Sequence, residues 1–481
     1  MIFNSFDFAL FIIPVFLLYW LILSKSAVYQ NVFLLITSLV FYAWVDWRFL
    51  SLLLGSIVIN FFLGKAIHTA ERETRQLLFL RLGLVFNVGL LLYFKYFNFF
   101  YDNFFELLHV FGVQKSHGIL HIILPLGISF FTFQNLGYLI DVYNEEIEPS
   151  NDFLQFSVFV AFFPKILSGP IERAANFIPQ IQKKRIFSYQ VAVDGLRQFL
   201  WGLFAKVVIA ENCAVIANPI FENYENESGS TILVGAFFYT IQLYADFSGY
   251  SNMALGVSKL FGIELMRNFA TPFFSTNISD FWRKWHISLT TWMMDYVFTP
   301  LSFTLRRYQK MGLLVSIIAT FVLVGFWHGA NWTFVVYGLL HGFYFVPLVY
   351  SGNINSSQIM AKGKWFPSVK EIIKMVLLFV LVMLTAIFFR ADSVTTALNC
   401  LQKICSVTLI DFPHTVLTTI TATTSILILF FIGIEWINRE KKHDFEISNY
   451  HMLLRWGLYI SLFLVLLFFG KSSETFIYFQ F

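Results

Sequence analysis

The run from Asn268 to Pro300, NFATPFFSTNISDFWRKWHISLTTWMMDYVFTP, holds the densest set of residues able to do chemistry. It places Asp280, Arg283, Lys284 and His286 among Trp282, Trp285 and Trp292. A second run, VLVGFWHGANWTFVVYGLLHGFY from Val322 to Tyr344, puts Trp327 and His328 at the end of a mostly apolar stretch. Gly329, Ala330, Asn331 and Trp332 follow directly, and His341 comes 13 residues after His328, again before a glycine. A neutral histidine near its ordinary pKa can take the proton of an attacking hydroxyl. Glycine beside it lets a substrate or another backbone approach closely. At helical spacing Trp282 and His286 share one face while Arg283 and Lys284 point away from it, and Asn277 or Ser279 could cap the helix. An interfacial amphipathic helix explains the Trp, Arg and Lys residues, but not His286 or Asp295. Thirteen residues span about 20 Å of one unbroken helix and end on roughly opposite faces, so His328 and His341 do not meet on a single helix. Each histidine also has a plain structural reading, as a hydrogen-bonding link between neighbouring helices.

Three further stretches carry polar groups into apolar surroundings, which is costly and therefore points to function. QLYADFSGYSNMA, from Gln242 to Ala254, contains Asp246; a polar helix–helix network is its alternative reading. LPLGISFFTFQNLGYLIDVY runs from Leu124 to Tyr143. FPKILSGPIER, from Phe163 to Arg173, has Pro164, Gly169 and Pro170, which argue for a broken or re-entrant segment or for an ordinary loop.

The elements that position these residues follow from composition. The chain has 481 residues, 57% of them hydrophobic and 13% charged, with 61 Phe. A soluble chain averages about 25% charged residues. This excludes a soluble globular enzyme, a disordered chain and a disulfide-stapled module, and leaves a polytopic membrane protein. A net charge of +4 gives no electrostatic case for nucleic acid. Cys213, Cys400 and Cys405 form no CxxC or zinc pattern, no histidine pair has metal spacing, and Walker, GxGxxG, GxSxG and HExxH motifs are absent. No metal site is expected. The cysteines read as free thiols in apolar surroundings.

Apolar runs at roughly 8–23, 30–45, 49–64, 80–100, 119–140, 153–170, 191–217, 231–262, 312–328, 332–350, 371–389, 416–435 and 452–470 predict an all-α chain with about 11–13 membrane segments. The first run carries Asp7 and no cleavage site, so it reads as an uncleaved helix. No internal repeat supports an inverted-repeat transporter. Basic gaps at 65–81, 173–185, 302–310, 361–374 and 438–442 contrast with 221–230, which has three Glu, and with 101–121, whose single basic residue is Lys115. The two sets alternate if the basic gaps are cytosolic, the N-terminus faces outward and 153–170 is re-entrant.

FWRKWHISLTTWMMDY, with FWHGANWT placing a second histidine 42 residues after His286, resembles the membrane-bound O-acyltransferase family, most closely its bacterial alginate and peptidoglycan O-acetyltransferase branch. MIFNSFDFALFIIPVF, FYAW, YFKYFNFF, LPLGISFFTFQ, FPKILSGPIER, QLYADFSGYSNMA and FFRADS extend the likeness over most of the chain. Asn252 stands where several relatives carry Asp, and MMDYVFTPLSF departs from the alginate-type pattern, which leaves the polymer open. The resemblance implies one membrane-embedded acyltransferase domain over 1–481, its core at about 120–390, as a funnel of helices around a central histidine. It matches His328 to that histidine and His286 to the second polar site, and adds no role for His341. On this reading His328 and His286 are catalytic. Asn331, Asp246, Arg283, Lys284 and Trp327 are substrate-binding candidates, with Arg283 and Lys284 meeting donor phosphates or anchoring at the membrane surface. The implied enzyme sits in the bacterial inner membrane among lipid. It holds no bound cofactor, and acetyl-CoA or another acyl thioester is the donor. It passes the acyl group to an extracytoplasmic polysaccharide or to an esterase-like acetyltransferase partner. D-alanyl transfer to teichoic acid is the enzymatic alternative, and a transporter the non-enzymatic one.

Overall fold

The computed structural model describes residues 1–112, 122–354, 360–413, 416 and 418–471. Lys115 and the first residues of the predicted 119–140 run lie outside this set. The described residues form helices and loops without a strand, as expected. Among the described residues eight helical stretches are long and apolar enough to cross a membrane, and the shorter, mostly apolar Phe6–Leu21 adds a 16-residue helix. The eight are fewer than the 11–13 expected, for two reasons. The stretch Ala27–Thr69 holds two 20-residue helices. Gly229–Leu260 is 32 residues long, but its polar side chains keep it out of the apolar set. The chain divides into two compact units.

The first unit comprises Met1–Ala192 and Val257–Met266. Its helices are α1 (Phe6–Leu21), α2 (Ala27–Asp46), α3 (Leu50–Thr69), α4 (Glu73–Leu91), α5 (Phe97–His109), α6 (Ile128–Tyr143), α7 (Phe153–Ala161), α8 (Phe163–Ile166) and α9 (Ala174–Gln182). The 153–170 run is broken at Phe162, where the backbone turns extended before Pro164 enters α8. α8 is buried throughout, and α7 from Phe156 to Ala161. Lys165 lies against the rings of Phe159 and Phe177 and donates to the Gln134 side chain of α6, so FPKILSGPIER and LPLGISFFTFQ pack on each other. Buried Glu172 accepts from the Met266 amide.

The second unit comprises Val193–Gly256 and Arg267–Phe481. It carries α10 (Tyr189–Phe204), α11 (Glu211–Glu222), α12 (Gly229–Leu260), α13 (Ile278–Trp282), α14 (Ile287–Met293), α15 (Thr299–Thr304), α16 (Gln309–His328), α17 (Trp332–Phe343), α18 (Val346–Ser351), α19 (Val369–Arg390), α20 (Val394–Ile404), α21 (Thr419–Asn438) and α22 (Met452–Phe469). A π-helical turn over Ala205–Ala210 joins α10 to α11. Lipid tails supply no hydrophobic drive between helices, so close backbone approach must hold them together. Glycines seven residues apart provide it. Gly195 and Gly202 on α10 face Gly256 and Gly249 on α12 in antiparallel order. A Cβ on Gly249 would sit 2.7 Å from the Gly202 carbonyl oxygen and 2.8 Å from the Lys206 nitrogen.

Replacing Gly249 with Val should therefore lower stability by about 1–3 kcal/mol through overpacking against backbone. Gly433→Ala, where a Cβ meets nothing within 4 Å, should not. Thermal unfolding of both variants in one detergent checks the contrast.

Candidate active site

The Asn268–Pro300 run does not form one amphipathic helix. Asn277 caps α13 by accepting from the Asp280 amide at 2.9 Å, as the sequence suggested. The helix stops at Trp282, and His286 takes a left-handed backbone, φ 45° and ψ 53°, before α14 begins. A non-glycine residue pays for this conformation and keeps it only where its surroundings hold it. Asn268 supplies that hold. Its carbonyl accepts from the Ile287 amide at 2.8 Å, and its side-chain oxygen accepts from the Ser288 hydroxyl at 2.6 Å. Its amide donates to Ser251 of α12 at 2.8 Å. The turn aims the fully buried His286 ring edge-on at Phe247, 4.6 Å between centroids, and toward Trp327 at 5.5 Å. Trp282 and His286 are thus placed by this turn and not by helical spacing. Burial pushes the His286 pKa down to about 3, so the imidazole stays neutral.

The second run is also broken. α16 ends at His328, Gly329 is extended, and Asn331 caps α17 by accepting from the Thr333 amide at 3.0 Å. The Asn331 amide also donates to the Asp392 carbonyl at 2.9 Å. Gly329 makes room for the Phe334 ring. The chain folds back on itself, and α16 and α17 cross where a Cβ on Gly325 would lie 3.0 Å from Gly338. The hairpin brings Tyr337 edge-on to His328, 6.0 Å between centroids, and within 4.5 Å of the His341 ring. Phe389 and Trp327 complete the surroundings of His328, at 5.1 and 5.0 Å. The rings of His286, Trp327, His328, Tyr337, His341 and Trp282 therefore form one continuous buried series. His328 and His341 thus do not share one helix, as the spacing implied, and the break after His328 brings both against Tyr337.

Other candidates are engaged nearby. Asp246, 2% exposed, pairs with Lys206 at 2.6 Å, and Lys206 also pairs with Glu211 at 2.9 Å. The π-helical turn presents Lys206 to both carboxylates. Sequence reading passed over Lys206 and Glu211, although a Lys and a Glu within the run 191–217 were the signal. Lys284 pairs with Asp280 at 2.8 Å. Arg283 is exposed, and its guanidinium lies 3.4 Å from the Ile354 carbonyl.

A cavity of about 360 Å³ runs along α16. Arg283 and Ile354 line one part of it, and Met293, Leu313, Phe321 and Val324 another. Val324 lies one helical turn, about 5.4 Å, before His328. Thr290 also lines the cavity, and its amide donates to the His286 carbonyl at 2.9 Å. The cavity thus joins a guanidinium to Val324 along mostly apolar walls, and neither His286 nor His328 is among its lining residues. Among the described residues no group of three or more His, Cys, Asp or Glu is arranged to hold a metal ion.

Residues 144–389 match the family model of the membrane-bound O-acyltransferases. The chain belongs to the membrane-bound O-acyltransferase family. It is 36% identical to the peptidoglycan O-acetyltransferase of Helicobacter pylori, over 84% of this chain and 79% of that protein. It is 37% identical to a probable alginate O-acetylase of Pseudomonas aeruginosa, over 82% of this chain and 73% of that one. Identity to the teichoic acid D-alanyltransferase of Bacillus subtilis is 32%, over 53% of this chain and 65% of the other. The chain is a multi-pass membrane O-acyltransferase.

Removing the cation of the Lys206 network leaves two buried carboxylates facing each other. Lys206→Met should therefore destabilise the protein by about 3–5 kcal/mol. Adding Asp246→Asn and Glu211→Gln should return part of that loss. Unfolding midpoints of the single and triple variants in nanodiscs measure it.

Proposed function

We propose that this acyltransferase moves an acetyl group from a cytosolic thioester to hydroxyls of an extracytoplasmic polysaccharide at the bacterial inner membrane, directly or through an esterase-like partner transferase. The observation that carries the reading is the cavity, which pairs one exposed guanidinium with apolar walls that end a helical turn from His328. A thioester arm is narrow and mostly uncharged, with anionic phosphate at its far end. Arg283 meets the phosphate, and the apolar walls take the arm. The two relatives named for O-acetylation support the acetyl group and the polysaccharide.

His328 acts as the general base. A ring nitrogen takes the proton of the acceptor hydroxyl while the hydroxyl oxygen bonds to the thioester carbonyl carbon. The tetrahedral oxyanion collapses, the carbon–sulfur bond breaks, and the thiolate leaves with the proton that His328 carried. His286 stays neutral under this burial and serves as a hydrogen-bonding partner for the donor, not as a second base. Trp327 lies between the two histidines and walls the reacting group off from water. Lys284, Asp246 and Asn331 hold the frame through Asp280, Lys206 and the α17 cap. No serine or cysteine nucleophile is needed, and the acyl group passes from the thioester to the acceptor hydroxyl without an acyl-enzyme.

Purified protein in nanodiscs, given acetyl-labelled acetyl-CoA with and without a soluble glycan, tests this. Release of free CoA that disappears in His328→Ala, with unfolding unchanged, is the expected result. Full activity in His328→Ala would refute the assignment of the base. Turnover only with a carrier-bound D-alanyl thioester would replace acetyl-CoA as the donor. Val324→Trp, which fills the cavity, should raise the donor KM about tenfold or more and leave the melting temperature within a few degrees. An unchanged KM would remove the cavity from the donor path.

A further inference from the structure

His341 is fully buried on α17, one helical turn after Tyr337, and nothing in the proposed mechanism uses it. Its Nδ1 accepts a hydrogen bond from the indole Nε1–H of Trp282 at 3.3 Å. An indole nitrogen only donates, so Nδ1 must be the unprotonated nitrogen. The neutral ring then carries its proton on Nε2, directed away from Trp282. The rings around it enforce the orientation: Tyr337 at 4.5 Å, Trp282 at 5.1 Å and Tyr344 at 5.5 Å. Tyr344 is itself held by Thr385, 2.7 Å from its hydroxyl.

Among the described residues Nε2 of His341 has no hydrogen-bond partner. The hydroxyl of Tyr239, an electrostatic neighbour of Tyr337 on α12, is likewise buried without one. A buried donor without an acceptor costs about 1–3 kcal/mol, and native proteins retain few of them. Two such groups beside Tyr337, whose ring also meets His328, mark a place where an oxygen acceptor is missing. Resting on the thioester reading above, we propose that the Nε2–H of His341, fixed by Trp282, is a hydrogen-bond donor to the carbonyl oxygen of the acyl group during transfer. The bond strengthens as that oxygen gains negative charge, which is the property a donor needs to lower the barrier. Trp282 acts through His341 as a positioning residue. It lines the donor cavity on one side and sets the tautomer on the other.

Two isosteres separate this role from packing. The amide nitrogen of Gln reaches the position of Nε2, while that of Asn reaches the position of Nδ1. His341→Gln should keep kcat within about tenfold of wild type. His341→Asn and His341→Ala should lose about 10²–10³-fold in kcat with little change in donor KM. Equal losses in the Gln and Asn variants, or full activity in His341→Ala, would overturn the proposal. The tautomer is read without substrate, from nitrogen chemical shifts of ¹⁵N-histidine-labelled protein in nanodiscs. Wild type should show one histidine protonated on Nε2 whose pattern changes in Trp282→Phe, and the same variant should lower kcat. A wild-type His341 protonated on Nδ1 would refute the donor even if His328-dependent turnover is intact. Absence of turnover with a correct tautomer would instead count against acetyl-CoA as the donor and send the isostere comparison to a carrier-bound thioester.

Discussion

α16 ends at His328 because Gly329 takes an extended backbone and Asn331 starts the next helix with its own side chain. Most of the site depends on that stop. A continuing helix would carry Tyr337 and His341 about 13 and 20 Å further along its axis. With the stop, α17 runs back beside α16, and the glycine crossing at 325 and 338 lets the two backbones nearly touch. The aromatic faces of α17 then close over the last turn of α16. The bond from Asn331 to the Asp392 carbonyl ties the same turn to the segment after α19, whose Phe389 packs on His328. One capping residue thus fixes both the helix start and the wall behind the histidine.

Buried polar groups in this chain divide by what satisfies them. Lys206, Asp246 and Glu211 hold one another. Asp280 has Lys284 and the α13 cap, and Asn268 bridges Ser251 to Ser288. Such groups are expensive in an apolar interior and become structural once paired. They define where helices and turns sit, and the left-handed turn at His286 is their product. The imidazoles differ from them in kind. Their immediate neighbours include many aromatic rings, which exclude water, and His341 Nδ1 accepts from the Trp282 indole.

The architecture was legible in the sequence where it depends on composition and local caps. The apolar runs, the cap at Asn277 and the broken segment around Pro164 all follow from residue type and spacing. The site was legible in its members and not in its geometry. Helical periodicity put Trp282 and His286 on one face, but tertiary bonds from Asn268 bend the chain at His286, and periodicity cannot register a single left-handed residue. His328 and His341 do lie on different helices, as their spacing required, but spacing alone could not show that a helix stop folds both against Tyr337. Lys206 escaped notice because its two partners lie on different segments: Glu211 is near in sequence, but Asp246 is 40 residues away.

A membrane acyltransferase faces a conflict between access and dryness. On the proposed reading a cytosolic thioester and an acceptor across the bilayer must meet at one site, where water would compete with the acceptor for the acyl group. On that reading the mostly apolar cavity along α16 and the aromatic rings around His328 answer this, because both keep water from the reacting atoms. A charged base in the resting state would bring its own hydration into that interior. Burial keeps the His286 imidazole neutral and avoids this, and on the proposed reading the charge created by proton transfer at His328 is transient, arising only as an oxyanion forms beside it. The segment from Trp282 to His286 contributes at both ends of this arrangement. Trp282 touches the passage and fixes one imidazole, and the turn four residues later delivers another to Trp327, beside His328.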